Sequence, residues 1–557
     1  MMTRARAIAV DRLTMARALV LRVIADHQEV LRELAPLLLT LALAPWFRLA
    51  FGNYRDGAVF RDVSMFNYAA FCVRKGERIY DTVATPDGPL IYWIEGIFQR
   101  FSGTDDKLQR QLDLDFQTVV GAVLGLLLVP RAPVWKWLRR FVWAIVGATL
   151  WLAWVVQSDF ASTLQRETYY VTLGSLGIAL VYASADVSRP RVARAMQIMG
   201  GFLAGLQIFG KHSGVLYAGA AILVAIVLPR ERTSRRMNIA CAAGGVLLAG
   251  AFVFGWLALF GSVRGFIFWY VHYDFEAYRF IRINNASEIM SGYRIDFYAY
   301  ALGVLMVGVI GVVTRALPAR SLGIAVVPML SSYANILQLH GWHYQLVPVI
   351  ASTYLFYLYV FGQSLAPAGR FTRMHQIAAV GVTALLVPLV AKQTMGSPWL
   401  HPKEKQLVAG DIVNPHDAGV WLAMHTRSTD RVLYYGGDPV APFVAQRLPA
   451  TPYIVRWLVD LTRQVPEPPD LDISHKPTLE QSAHIYVMQA KLENDACKRV
   501  LDNPPPAMIF EGTPGYTTDA LTDYQNFCRP LADLMKQQYH PGAQFGDTRI
   551  FLRNDRD

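Results

Sequence analysis

Charge is scarce in this chain. Asp, Glu, Lys and Arg make up 17% of its 557 residues, against 53% apolar residues. A soluble fold needs a more polar surface, and the chain is too long for one ordinary soluble core. Cysteine is scarce as well. The four cysteines show no metal-ligand spacing, which excludes a cysteine-based zinc site. The first residues, MMTRARAIAVDRLTMARALVLRVIADHQEVLREL, lack an apolar core segment and a small-residue cleavage site, so no removed leader is expected. The Gly436-Gly437-Asp438 turn has no G-x-G-x-x-G spacing and no following Lys-Ser/Thr pair. That excludes a phosphate-cradling loop there.

What the chain does have is apolar runs close to the ~17–25 residues needed to cross a bilayer. They predict an α-helical polytopic membrane protein with about eleven spans. The predicted spans are 34–51, 116–129, 141–156, 169–183, 196–209, 215–228, 239–260, 297–313, 322–337, 346–361 and 377–391. Residues 1–33 form a basic N-terminal segment, and Arg12 to Leu34 read equally as an amphipathic helix on the inner surface or as a cytosolic tail. The membrane unit covers 34–391. It includes a long first loop, 52–115, and a second long loop, 261–296. Leu90 to Phe101 is too short and polar to cross, and reads as a helix lying along the interface.

The net charge of +11 invites a nucleic-acid reading, but the placement of the charges opposes it. The basic clusters fall in 131–140, 189–194, 230–236, 315–320 and 370–373. With the N-terminus in the cytoplasm, every one of them lies on the cytoplasmic side. The opposite face then receives 53–115, 157–168, 210–214, 261–296, 338–345 and the tail, 392–557.

That tail has an ordinary soluble composition and reads as an α/β domain. DRVLYYGG is a strand running into a turn, DPVAPFVAQRL a short helix, HIYVMQA a second strand-like run, ENDACKRVLDN a helix and RIFLRND a last strand. Cys497 and Cys528 both lie in it. On an oxidising face they can pair.

Polar residues at the mouths of spans are functional candidates by default. Asp62, in RDVSMFNYAA, is the leading one. It suits a general base, and reads otherwise as a surface or capping carboxylate. Asp56 is its alternate. Asp113 and Asp115 form a D-x-D pattern, taken here as the wet mouth of the second span. Gln165, Arg166 and Glu167 sit in a short outer loop, where a basic residue goes against the charge bias. Arg166 there calls for an anionic partner, a lipid phosphate or Glu167 itself. Lys211 and His212 are nearly the whole of another outer loop. The lysine suits a phosphate as a point charge, or else snorkels to headgroups. His340, His343, Tyr344 and Gln345 lie in QLHGWHYQLVP. A third zinc ligand is not spaced for these histidines, so hydrogen bonding to a sugar or pyrophosphate is the reading, with Trp342 an interfacial anchor. Together these loops supply a base, cations for a phosphate leaving group, and neutral hydrogen-bonding groups at one membrane face.

An acidic residue in the first outer loop, then Gly76-Glu77-Arg78-Ile79-Tyr80-Asp81, then Gly88-Pro89-Leu90-Ile91-Tyr92-Trp93, resembles the GT-C superfamily of integral-membrane glycosyltransferases. The likeness is to the branch of protein mannosyltransferases and lipid A aminoarabinose transferases. Asp62 matches the first acidic position of that branch. Val63 stands where the second would be, and Asp87-Gly88-Pro89 replaces its K-P-P. The resemblance implies a polyprenyl-phosphate-linked sugar donor used on the periplasmic side of a bacterial inner membrane. It implies inversion at the anomeric carbon, with Asp62 as base and with Lys211 and Arg166 against the departing phosphate. It requires no cofactor and no metal, and it leaves the acceptor open among glycan, lipid and protein. Two other classes stand beside it: a lipid-linked sugar flippase or transporter, and a non-catalytic envelope assembly protein. Loss of function on replacing Asp62 separates an enzyme from a scaffold.

Overall fold

The computed structural model describes residues 28–50, 62–128, 136–157, 164–228, 234–280, 294–338, 343–364, 415–460, 477–512 and 519–556. The chain opens with α1 (Gln28–Ala42) and α2 (Ala44–Ala50). The predicted first span is therefore broken in two. Pro45 has no N–H and its ring clashes with the carbonyl four residues back, so a single helix cannot continue through Leu43. α3 (Asp62–Arg74) and α4 (Pro89–Ser102) carry the described part of the first loop, and α4 covers the predicted interfacial helix.

Next come α5 (Asp106–Leu128), α6 (Lys136–Gln157), α7 (Arg166–Ala183), α8 (Pro190–Leu206), α9 (Val215–Val227) and α10 (Arg235–Phe260). Among the described residues, six helices are long and apolar enough to cross a membrane, at 106–128, 166–186, 190–209, 235–260, 295–313 and 319–338. Shorter apolar helices at 140–154, 212–227 and 347–360 match further predicted spans. The span predicted at 377–391 lies outside the described residues. This is a multi-pass membrane protein by the length and composition of its helices.

One boundary needs correction. The second span does not start at Phe116, because α5 runs unbroken from Asp106. Gln109, Arg110 and Asp113 are all buried within it. Asp113 is therefore not a wet mouth, and accepts a hydrogen bond from Gln117 Nε2 at 3.3 Å. Asp115 instead takes an ion pair from Arg48 of α2. The α5–α6 crossing is close enough that a Cβ on Gly121 or Gly147 would strike the facing backbone. This is the small-residue contact that lets membrane helices approach.

Residues 431–553 hold a five-stranded sheet in the order β2-β1-β3-β5-β4. β1 (Arg431–Tyr435) is parallel to β2 (Leu448–Pro449) and to β3 (Ala507–Glu511). β5 (Thr548–Arg553) is antiparallel to β3 and to β4 (Tyr539–Phe545). The predicted strand at HIYVMQA is instead part of a helix, Leu479–Asp502. Its apolar residues Ile485, Met488, Leu492, Ala496 and Val500 recur at helical spacing and are all buried. A Thr478–Gln481 capping box starts it. The helix absorbs the expected ENDACKRVLDN segment, and a disulfide joins its Cys497 to Cys528.

The tail is bonded to both long loops. Tyr68 of α3 donates to the Arg447 carbonyl at 3.0 Å, and Ala84 N donates to the Pro452 carbonyl at 2.8 Å. Arg431 pairs with Glu77. On the other side, Tyr273 donates to the Trp457 carbonyl at 3.2 Å. Residues 447–458 thus lie between the first and second loops.

Candidate active site

The site grows from the start of α7. Leu164, just before it, is buried with φ of 59°. A left-handed backbone at a branched residue is strained, and such strain collects at functional segments. The turn starts the helix with Arg166 and Glu167 in its first turn. Glu167 is fully buried, and its Oε1 accepts a hydrogen bond from Lys211 Nζ at 2.6 Å. Arg166 Nε lies 3.4 Å from the same oxygen, and its Nη1 pairs with Asp87. Asp87, Arg166, Glu167 and Lys211 therefore form one chain of alternating charge. Such a buried set survives only because each charge is matched. Arg166 has the anionic partner that its position called for, in both Asp87 and Glu167.

The first loop reaches this chain through Gly88. A Cβ there would collide with the Phe209 carbonyl at the end of the turn after α8. That close approach places Asp87 next to Arg166. Tyr80 (φ of 65°) donates its hydroxyl to the Asp87 carbonyl at 2.5 Å and steadies the turn.

His212 follows Lys211 and faces the second loop. That loop forms α11 (Val263–Phe266), which continues as a π-helical segment, Ile267–Tyr273, and a last turn, Asp274–Glu276. π-helical turns are rare and concentrate at functional sites. The His212 ring stacks on Tyr270 at 4.1 Å, meets Phe275 edge-on at 4.8 Å, and places Nδ1 3.0 Å from Asp274 Oδ2.

Asp62 is the first residue of α3 and is partly exposed. Its neighbourhood is marked by Tyr278. Burial, above all, pushes this phenol up from its ordinary value; Arg166 opposes the rise, while Asp62, Asp274 and Glu167 add to it. Charges from the first loop, α7 and the second loop thus all act on one tyrosine. The Tyr278 ring lies against Trp457 of the tail, centroids 5.8 Å apart. The arrangement can hold an anion at Arg166 and Lys211 and present a carboxylate, Asp62, to a hydroxyl.

The structure therefore joins Arg166, Glu167 and Lys211 by direct contacts and sets His212 against the second loop, while Asp62 is linked to them only through the charges that act on Tyr278. Gln165 is buried at the head of α7. Gln345 is buried and donates to Gln338 Oε1 at 3.1 Å. Among the described residues no hydrogen bond joins it to the Asp62 region. Asp56 and His340 lie outside the described residues, as do the side chains of His343 and Tyr344. Among the described residues, no three His, Cys, Asp or Glu are placed to hold a metal ion.

Sequence reasoning missed Asp274, Tyr270 and Tyr278, and named Asp87 only in the segment that replaces K-P-P. Asp274 and Asp87 carried a signal, being carboxylates in outer-face loops. It also missed the support beneath Asp62. Asn67 of α3 exchanges hydrogen bonds with Gln109 of α5 at 2.8 and 2.9 Å, and Gln99 of α4 donates to the Asn67 carbonyl at 2.8 Å. Gln109 also bonds Glu95. Burial, chiefly, pushes the Glu95 carboxyl well up, and Asp113 adds to the rise.

No sequence-family profile matches the chain, and no curated protein is similar to it in sequence. Solved structures do resemble it. The crystal structure of ArnT from Cupriavidus metallidurans bound to undecaprenyl phosphate is 12% identical, covering 92% of this chain and 97% of that one, with a TM-score of 0.51. ArnT of the same organism in the apo state gives 12%, 92%, 97% and 0.49. The apo oligosaccharyltransferase of Archaeoglobus fulgidus gives 10%, 86%, 69% and 0.42. The overlap with the first spans nearly the whole of both chains, and it shows that this chain shares the overall fold of that ArnT structure.

Proposed function

We propose that this chain is an inverting membrane glycosyltransferase. It moves a sugar from a polyprenyl-phosphate-linked donor to the hydroxyl of a periplasmic or lipid-linked acceptor. The observation that carries the reading is the buried Asp87–Arg166–Glu167–Lys211 chain of ion pairs, with Asp62 opening α3 in the same first loop as Asp87. The fold shared with ArnT, a structure bound to undecaprenyl phosphate, supports the donor class.

Asp62 accepts the acceptor's hydroxyl proton as that oxygen bonds to the anomeric carbon. The bond from the anomeric carbon to the phosphate oxygen breaks, and its electron pair leaves with the polyprenyl phosphate. Arg166 and Lys211 stabilise the charge that develops there, a larger effect in a water-poor site than in water. The donor phosphate shares these cations with Asp87 and Glu167. Gln165, Glu167, His212, His340, His343, Tyr344 and Gln345 complete the substrate contacts in this reading. The base is Asp62, with Asp56 as alternate. No metal enters the scheme.

The N-terminus lies in the cytoplasm of a bacterial inner membrane, and the α/β tail lies in the periplasm. An oxidising periplasm suits the Cys497–Cys528 bond.

The test is a transfer assay in liposomes with a panel of polyprenyl-phosphate sugars, comparing wild type with Asp62→Asn and Asp56→Asn. Wild type releases polyprenyl phosphate, and Asp62→Asn loses ~10²-fold or more while still folded. Loss in Asp56→Asn alone moves the base. Labelled lipid crossing the bilayer without any turnover replaces the transferase with a flippase.

A further inference from the structure

The Lys211-His212 pair divides its work in a way that sequence alone does not suggest. Lys211 points into the charged chain through Glu167. His212 is held on three sides by the second loop: flat on Tyr270, edge-on to Phe275, and at Nδ1 by the Asp274 carboxylate. Tyr270 is itself fixed, donating to the Ile208 carbonyl at 2.7 Å. The other ring nitrogen, Nε2, is buried and has no hydrogen-bond partner among the described residues. A buried polar atom without a partner is costly, and one kept in a native structure calls for an explanation such as a functional role, an ordered water or an ion.

A carboxylate beside Nδ1 favours the neutral tautomer whose proton sits on Nδ1, because the other nitrogen's partner sets which one is protonated. Nε2 then carries a lone pair and accepts. A lone pair repels a phosphate oxygen and suits an O–H donor. The charged groups around the ring are Asp274, Lys211 with its partner Glu167, and Arg166, which acts with Asp274 on the stacked Tyr270.

We infer that His212 is a hydrogen-bond acceptor for a ligand hydroxyl, not a phosphate ligand, and that Asp274 is the positioning residue that fixes its tautomer. This rests on the transferase reading for the identity of the ligand, though not for the tautomer. The hydroxyl belongs either to the donor sugar or to the acceptor, since both present the same chemistry. Lys211 and Arg166 are left as the phosphate cations, so the adjacent residues 211 and 212 read different parts of one substrate.

The first experiment uses the full chain in lipid bilayers with nitrogen-15-labelled histidine, assigned by the loss of one signal in His212→Phe. The expected spectrum at neutral pH shows Nε2 unprotonated, and Asp274→Asn shifts it to a mixture of tautomers. Protonated Nε2 in wild type overturns the inference, whatever the enzyme does. The second experiment measures lipid binding by His212→Phe, which keeps an aromatic ring on the Tyr270 stack. Binding of bare undecaprenyl phosphate is expected to stay within twofold of wild type. Binding of a polyprenyl-phosphate sugar falls roughly tenfold if the hydroxyl is the donor's. If the hydroxyl is the acceptor's, donor binding holds and KM for the acceptor rises by that factor. Equal weakening of bare and sugar-bearing lipid overturns the inference. Absence of turnover with any sugar donor, with Nε2 still unprotonated, counts against the transferase reading alone.

Discussion

Two buried polar groups in this chain are built differently. Asn67, Gln99, Gln109 and Glu95 form a network of amides around one carboxyl. Asp87, Arg166, Glu167 and Lys211 form a chain of ion pairs. The amides satisfy one another reciprocally and have no reason to rearrange. The ion pairs are held by mutual neutralisation, so an arriving anion can take a share of either cation. Buried polarity of the first kind fixes a scaffold, in this case the helix that carries Asp62. The second kind makes a site.

The largest effect should come from breaking a single charge out of the chain. Lys211→Met leaves Glu167 buried without its nearest cation, facing Arg166 at 3.4 Å. Removing one partner of a buried pair costs about 3–5 kcal/mol. Unfolding in detergent should show that loss, and adding Glu167→Gln should restore most of it. If the double variant is no better than the single one, the pair is not what holds the turn. In the amide network, Gln109→Leu strands Asn67 and Glu95 and should cost about 1–3 kcal/mol. Its signature is a retained affinity for bare polyprenyl phosphate despite the lost stability, which would separate scaffold from site. The smallest effect is one of pH. The Glu95 carboxyl is pushed up chiefly by burial, so its protonated form suits the fold. Its favourable contribution is full below the ordinary carboxylate range and fades as pH rises through the folded value. Glu95→Gln should therefore stabilise the protein more at pH 8 than at pH 4, as read by melting temperature across that range. An equal shift at both ends would mean that folding does not raise the Glu95 carboxyl at all.

The sequence made some of this legible and hid the rest for physical reasons. Arg166 and Lys211 stood out because a cation on the outer face of a membrane protein is unusual. Their partners did not, since Asp87 lies 79 residues from Arg166 and Glu167 lies 44 from Lys211. Nothing local marks such a pairing. The apolar runs located the spans, yet the start of α5 was misplaced. A hydropathy pattern counts Gln109, Arg110 and Asp113 as polar and cannot see that α3 and α4 cover that stretch. HIYVMQA misled for a related reason: a short apolar run fits either period, and only the recurrence through Val500 reveals the helix.

The segment 447–458 has a further consequence, one of timing. Tyr68 and Glu77 meet residues that follow them by 379 and 354 positions. Synthesis runs from the N-terminus, so both long loops are made well before the strand-and-turn stretch that binds them together. Trp457, at the edge of the site, arrives later still. The loops must wait, open on that side, until the tail has been made and folded. A chain interrupted before that point carries Asp62, Arg166 and Lys211 but not the wall that closes over them. A stretch made late thus packs against loops whose charged residues were all made earlier.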